Sequence, residues 1–189
     1  MKVGIISGSA RKGNNTIRVA YALSKLIDSC EIVDFQNYDL PGFAEEPMNV
    51  GSESPFQKKL IQVMNESQLV FILSPEYNWF PSAEIINMVH VFGSDDYKDM
   101  FDNKVIATIG VSSGRGGRMP AVQLSYVFNK IISFMELNSV VSPKSFEAQE
   151  VTKCIGEGGE LLEVLPFNKG FESFVDYSVK LAKRWQASS

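Results

Sequence analysis

Leu69-Val70-Phe71-Ile72-Leu73-Ser74 is apolar at every position but its last. Pro75-Glu76-Tyr77-Asn78-Trp79-Phe80-Pro81-Ser82 then breaks the run with two prolines and a cluster of aromatic and amide side chains. A strand wetted on one face alternates apolar and polar residues. One without that alternation is buried on both faces, as in a parallel sheet covered by helices. The stretch therefore predicts a central strand over 69–74 that runs into a loop at the carboxyl edge of such a sheet.

Outward from that strand the same pattern repeats. Upstream, Val3 to Ser7 reads as a strand, Asn15 to Ile27 as a helix and Glu31 to Phe35 as a second strand. A polar stretch from Asn37 to Ser54, broken by Pro and Gly, reads as an irregular loop before a helix from Pro55 to Asn65. Downstream, the sequence predicts a helix over Ser82 to Val91, a strand over Lys104 to Val111, a helix over Met119 to Glu136 and a short fifth strand over Ser139 to Val141. Gly156-Glu157-Gly158-Gly159 reads as a surface turn, and Phe171 to Trp185, with Phe171, Phe174, Val175, Val179, Leu181 and Ala182 at helical spacing, as a closing helix. Five βα units without repeat or linker predict one α/β domain over residues 1–189. Its expected architecture is a doubly wound five-stranded parallel sheet in a three-layer sandwich, with the flavodoxin-like strand order preferred.

The 189 residues are 44% hydrophobic and 21% charged, a balance that builds a full core and excludes disorder. Eighteen Lys and Arg against 22 Asp and Glu leave a net charge of -4, a poor match to a phosphate backbone, so no nucleic-acid partner is expected. No apolar run nears the ~20 residues that span a bilayer, and the start turns polar too early for a signal peptide, so no membrane partner and a cytoplasmic location are expected. Two distant cysteines, Cys30 and Cys154, and one histidine, His90, give little material for a metal site or a Ser/His/Asp nucleophile. No metal is expected, and a bound cofactor is expected to supply any chemistry.

Ligands of open parallel sheets bind beyond the strand ends, where loops meet helix N-termini. Three loops fall there. Loop one, Ser7-Gly8-Ser9-Ala10-Arg11-Lys12-Gly13-Asn14-Asn15-Thr16, combines small residues, hydroxyls, amides and two cations before a helix start, the composition that suits a phosphate. It is neither a Gly-x-Gly-x-x-Gly fingerprint nor a Walker loop, so a mononucleotide is favoured. Loop two, Ser74 to Ser82, offers aromatics and Asn78 to a flat heteroaromatic ring. Loop three, Ser112-Ser113-Gly114-Arg115-Gly116-Gly117-Arg118, permits close backbone approach.

With these loops the chain resembles the NADPH-dependent FMN reductase family of flavodoxin-like proteins, which includes flavin, quinone, chromate and azo-dye reductases. Gly8-Ser9-Ala10-Arg11-Lys12-Gly13-Asn14 is similar to the family's Gly-Ser-x-Arg-x-x-Ser loop, with Asn14 where Ser is usual. Pro75-Glu76-Tyr77-Asn78 matches the family's Pro-Glu-Tyr-Asn element, and Asn87 matches the Asn of the following helix. The resemblance implies that Ser9, Arg11, Asn14, Asn15 and Thr16 hold the FMN phosphate. It implies that Pro75, Glu76, Tyr77 and Asn78 border the isoalloxazine and that Ser112, Ser113, Gly114, Gly116 and Gly117 close its other side. No residue is required as a catalytic acid or base.

The activity it implies is two-electron ping-pong transfer of hydride from NADPH or NADH through flavin N5 to a flavin, quinone or similar small acceptor, in a homodimer or homotetramer. The chain departs from the family pattern at Trp79-Phe80-Pro81-Ser82, where a Ser-x-Pro-Gly-type segment is common, at Arg118, where a second glycine often falls, and at Ser125, where Arg is frequent. Trp79, Phe80, Arg115 and Arg118 are accordingly candidates for the substrate mouth, and His90 is expected to be structural or interfacial. Two other readings remain open: a flavodoxin-type single-electron carrier, and a non-redox FMN-binding module.

Overall fold

In a computed structural model, which describes residues 1–45, 48 and 51–187, the chain alternates strands and helices. The strands are β1 (Val3–Ser7), β2 (Cys30–Asp34), β3 (Leu69–Pro75), β4 (Val105–Val111), β5 (Val140–Val141) and β6 (Phe146–Ala148). The helices are α1 (Asn15–Lys25), α2 (Pro55–Glu66), α3 (Ala83–Phe92), α4 (Arg118–Phe134), α5 (Val151–Cys154) and α6 (Leu165–Gln186). The sheet order is β2-β1-β3-β4-β5, all parallel, which is the flavodoxin-like order.

Every residue of β1, β3 and β4 is buried, so the absence of alternation in Leu69–Leu73 has the meaning expected of it. Successive side chains enter opposite faces. Ile5, Leu69, Phe71, Leu73, Ala107 and Ile109 pack with Leu23 of α1 and Phe171 and Phe174 of α6. Ile6, Val70, Ile72 and Ile106 pack with Leu60 of α2, Met88 and Phe92 of α3 and Leu124 and Phe128 of α4. At about 1.5–3 kcal/mol for each large apolar side chain taken out of water, the two cores provide the main stabilisation of both layers.

The helix starts are written into the sequence. Asn14 accepts from the Ile17 N–H, Ser54 and Gln57 form a reciprocal capping box with Pro55 in the first turn, and Ser82 accepts from the Ile85 N–H. Asn87 pins the stretch after β2 from outside. Its Oδ1 accepts from the Phe43 N–H at 2.9 Å, while its Nδ2 donates to Tyr38 Oη at 2.7 Å and to Pro41 O at 2.8 Å. Residues 46, 47, 49 and 50 of the expected 37–54 loop lie outside the described residues.

The structure corrects several boundaries. The second strand ends at Asp34, whose side chain accepts from the Gln36 N–H and turns Phe35–Asn37 into a 3-10 turn. The fifth position of the sheet is shared by two fragments. β5 pairs with Val105–Ile106 and β6 with Ile109–Val111, on either side of a turn in which Ser142 Oγ donates to Lys144 O and accepts from its N–H. The closing helix begins at Leu165, with Pro166 in its first turn, rather than at Phe171.

Gly156–Gly159 is a docking turn on α1 more than a free surface turn. Gly159 is buried with φ +81°, a Cβ there would lie 2.6 Å from the backbone of Tyr21 and Ala22, and ion pairs Arg18–Glu157 (3.1 Å) and Lys25–Glu160 (2.9 Å) flank it. Among the described residues, no helix is long and apolar enough to cross a membrane.

Candidate functional site

β1, β3 and β4 are parallel and in register, so the loops that leave them emerge at one edge, and specific bonds then stitch loops one and two together. The Gly8 N–H donates to Leu73 O at 2.9 Å, Ser82 Oγ donates to Gly8 O at 2.6 Å, and the Ser82 N–H donates to Ser74 Oγ at 2.9 Å. Gly8 has to be glycine, because a Cβ would overlap the Ile85 side chain of α3 and sit 2.8 Å from Leu73 O. Ser9 Oγ and Tyr77 Oη are 3.2 Å apart, and the Arg11 guanidinium lies 6.0 Å above the Tyr77 ring. Tyr77 thus leans on loop one as well as on its own loop.

Loop one wraps the start of α1. Asn14 accepts from Ile17 N–H, and its amide nitrogen donates to Arg11 O (2.7 Å) and Ser9 O (3.3 Å), drawing the loop into a ring. This cap satisfies one of the four free N–H groups of a helix start and leaves the others with the positive end of the dipole. Thr16 is 1% exposed and its Oγ1 has no protein partner. It lines a cavity of about 210 Å³ together with Ser9, Arg11, Lys12, Gly13, Asn14, Asn15, Pro75, Glu76, Tyr77, Val111 and Ser113. A buried hydroxyl without an acceptor or donor costs about 1–3 kcal/mol, so this cavity is built for a polar guest.

That volume lies below the roughly 300–1,000 Å³ of complete small-molecule sites. Of loop three, Ser113 reaches the cavity's lining. A larger hollow of about 370 Å³ lies elsewhere, beside α3, lined by Phe43, Met48, His90, Val91 and Tyr97. Its acidic groups are Glu45 and Asp96, and it has none of the arginine and lysine of the first cavity, so it is the poorer seat for an anion.

Of the sequence candidates, Ser9, Arg11, Asn14, Asn15, Thr16, Pro75, Glu76, Tyr77 and Ser113 meet around this cavity. Ser112, Gly114, Gly116 and Gly117 stand in loop three beyond it, where the Gly117 N–H donates to the Glu76 carboxylate. Asn78 is exposed with φ +52°. Trp79 and Phe80 turn outward, 71% and 63% exposed, and do not line the cavity. Arg115 is exposed, and Arg118, 3.9 Å from Glu147, points along the outer surface.

His90 lies against the Phe43 ring, 4.9 Å between centroids and away from the three loops. Burial pushes the Cys30 and Cys154 thiols up, the opposite of what a thiolate nucleophile needs.

The sequence reading missed the brace behind loop three. The Ser112 N–H donates to Ala148 O (2.9 Å), the Glu150 N–H to Gly114 O (2.9 Å) and the Val151 N–H to Ser112 O (3.2 Å), so β6 and the start of α5 hold the loop from outside. These are backbone bonds from a three-residue strand, and no side-chain pattern announces them. Thr108 Oγ1 and Ser125 Oγ are 3.0 Å apart, so Ser125 serves the sheet face of α4.

Solved structures with this architecture include FerB, a flavoenzyme NAD(P)H:(acceptor) oxidoreductase from Paracoccus denitrificans. It is 20% identical, the alignment covers 97% of each chain, and the TM-score is 0.75. RosB, solved with 8-demethyl-8-formylriboflavin-5'-phosphate bound, is 14% identical over 99% of this chain and 81% of its own, with a TM-score of 0.68. An archaeal flavodoxin is 10% identical over 98% and 99%, with a TM-score of 0.53. At these identities the likeness is one of fold. No curated protein sequence matches the chain. The family profile for NADPH-dependent FMN reductase, however, matches residues 1–147, which span β1 to β5 and all three loops, and the chain belongs to that family.

Proposed function

We propose that residues 1–189 form one FMN-binding unit that passes two electrons from NADPH or NADH to a small acceptor. The observation that carries the reading is the buried, unpartnered Thr16 hydroxyl at the open N-terminus of α1, in one cavity with Ser9 and Arg11 and with the Pro75–Tyr77 wall. The donor set fits a phosphate monoester. Free N–H groups, two hydroxyls, an amide and a guanidinium converge, the first turn of α1 holds no acidic residue, and the cavity's carboxylate, Glu76, accepts from the Gly117 N–H.

FMN, when bound, supplies the hydride chemistry. The protein's part is to hold the tail at loop one, to support the ring along Pro75–Tyr77, and to let Ser113 and the glycines of loop three approach its other side. Since the flavin accepts and returns the electrons, no side chain has to act as acid or base.

The test is an anaerobic titration. Apoprotein should take up FMN at micromolar concentration, and NADPH or NADH should then bleach the visible flavin band, with the colour returning on addition of a quinone. Absence of FMN binding removes the reading. Flavin that binds but stays oxidised under excess of both nucleotides removes the reductase and leaves a binding module.

A further inference from the structure

Helix α4 begins without a cap of its own. Its N-cap residue is Gly117, at φ +96°, which has no side chain to receive a helix N–H and makes no side-chain cap bond. The N–H of Gly117 itself, the donor that a carboxylate three residues on takes in a capping box, finds its acceptor in another loop. The Glu76 carboxylate takes the Gly117 N–H, and the same carboxylate lies so close over Gly116 that a Cβ there would collide with it. Glu76 is held at its base, where its N–H donates to Val111 O at 2.9 Å, the last rung between the ends of β3 and β4. The side chain therefore bridges loop two and loop three, while Pro75, Glu76 and Tyr77 face the cavity. A carboxylate at the positive end of α4 is also favourable to the helix dipole.

We propose that Glu76 is a positioning residue: its carboxylate takes the N–H of the α4 N-cap residue and holds Gly116-Gly117 as a fixed wall of the flavin slot. The proposal rests on the FMN reading above for what the slot accepts, and on Glu76, Gly116 and Gly117 for how it is held. Without the carboxylate, the free N–H and the glycine-rich loop must be ordered when the ligand binds, and that ordering cost falls on affinity. Gln retains a carbonyl acceptor for the same N–H, whereas Ala retains none. Gly116→Ala keeps the carboxylate but pushes it off its seat, and the backbone there tolerates the change because φ of Gly116 lies outside the left-handed region.

The experiment reads amide hydrogen exchange over residues 112–118 in the flavin-free protein and, separately, FMN affinity by quenching of flavin fluorescence. Glu76→Ala and Gly116→Ala should each speed exchange in loop three and weaken FMN by roughly tenfold. The double variant should be no worse than either single one, because both break the same contact. Glu76→Gln should stay within about threefold of the unmodified protein in both readings, the rescue expected of an acceptor.

Glu76→Ala with unchanged exchange overturns the proposal, as does a double variant whose losses multiply, or Glu76→Gln falling as far as Glu76→Ala. The exchange measurement needs no flavin. If the unmodified protein fails to bind FMN, the cofactor reading falls, and the clasp is still judged by exchange in loop three.

Discussion

Gly110 and Gly117 meet backbone to backbone, and that contact sets how closely α4 can start behind the end of β4. A Cβ on Gly110 would overlap the Gly117 carbonyl oxygen, and one on Gly117 would press on Gly110 O in return. Neither partner is a flexible side-chain tip, so nothing can yield cheaply. Gly110→Ala is expected to cost about 3 kcal/mol or more in chemical denaturation, at the upper end of overpacking effects. Gly13→Ala is the control: its φ is +62° but nothing lies within 4 Å of the added methyl, so only the left-handed backbone penalty of about 1 kcal/mol applies.

Trp79 carries a related strain. Asn78 and Trp79, at φ +52° and +72°, occupy the centre of a turn in which the Tyr77 and Phe80 N–H groups each donate 3.0 Å to the other's carbonyl. A left-handed tryptophan costs about 1–2 kcal/mol, and glycine there returns up to about 1 kcal/mol of that through chain entropy. Trp79→Gly should therefore raise the unfolding free energy by about 0.5–1 kcal/mol, a shift visible as a higher melting temperature. An unchanged or lower value would show that the exposed indole is stabilising the turn.

At the scale of elements, the helices that follow β1, β3 and β4 at the ligand edge are each capped differently. α1 uses Asn14, α3 uses Ser82, and α4 has no cap residue of its own. Asn14 does two jobs, accepting from Ile17 N–H while donating to Ser9 O and Arg11 O. Asn14→Ala should destabilise the flavin-free protein by about 2 kcal/mol. Asn14→Ser, which restores the cap but neither donor bond, should do so by about 1 kcal/mol. Equal losses in the two variants would mean that the cap contributes nothing.

The starts of α1 and α3 were legible to within a residue because an apolar helical repeat begins there. β1, β3 and β4 were legible because burial on both faces leaves few polar positions, here Ser7, Ser74 and Thr108. β6 and the bond at the start of α4 were not: the first is three residues of backbone pairing, and the second joins Glu76 to Gly117 across 41 positions of sequence. The site divides in the same way. Read from the sequence, the strand order could bring Ser9, Arg11 and Pro75–Tyr77 to one cavity, whereas the outward turn of Trp79 and Phe80 follows a local positive φ that composition does not encode.

At the scale of the molecule, the end of the sheet opposite the loops is organised by a buried cation. Lys104 is 1% exposed, and its Nζ donates to Met64 O at 2.6 Å in the last turn of α2 and to Asp99 O at 3.3 Å, while its backbone N–H donates to Ser139 Oγ at 3.0 Å. One amine thus ties α2, the 3-10 turn Asp95–Met100 and the base of β4. Burial pushes its pKa down to about 8, against the smaller upward pull of Asp102 and Asp99.

The sign of the pH effect follows. From about pH 8 to 10.5 the unfolded chain holds a proton that the native amine has released, so folding becomes more favourable as pH rises through that window. Below it both states are protonated, and the burial cost is present in full. Lys104→Met removes the titration while keeping the apolar stem. The stability of the unmodified protein relative to this variant should climb by up to about 1.4 kcal/mol per pH unit across the window and stay level beneath it. Denaturant melts at successive pH values read this difference directly, and other groups cancel because both proteins carry them. A flat difference would mean that the amine remains charged in the fold, with the Met64 and Asp99 carbonyls solvating it as well as water does.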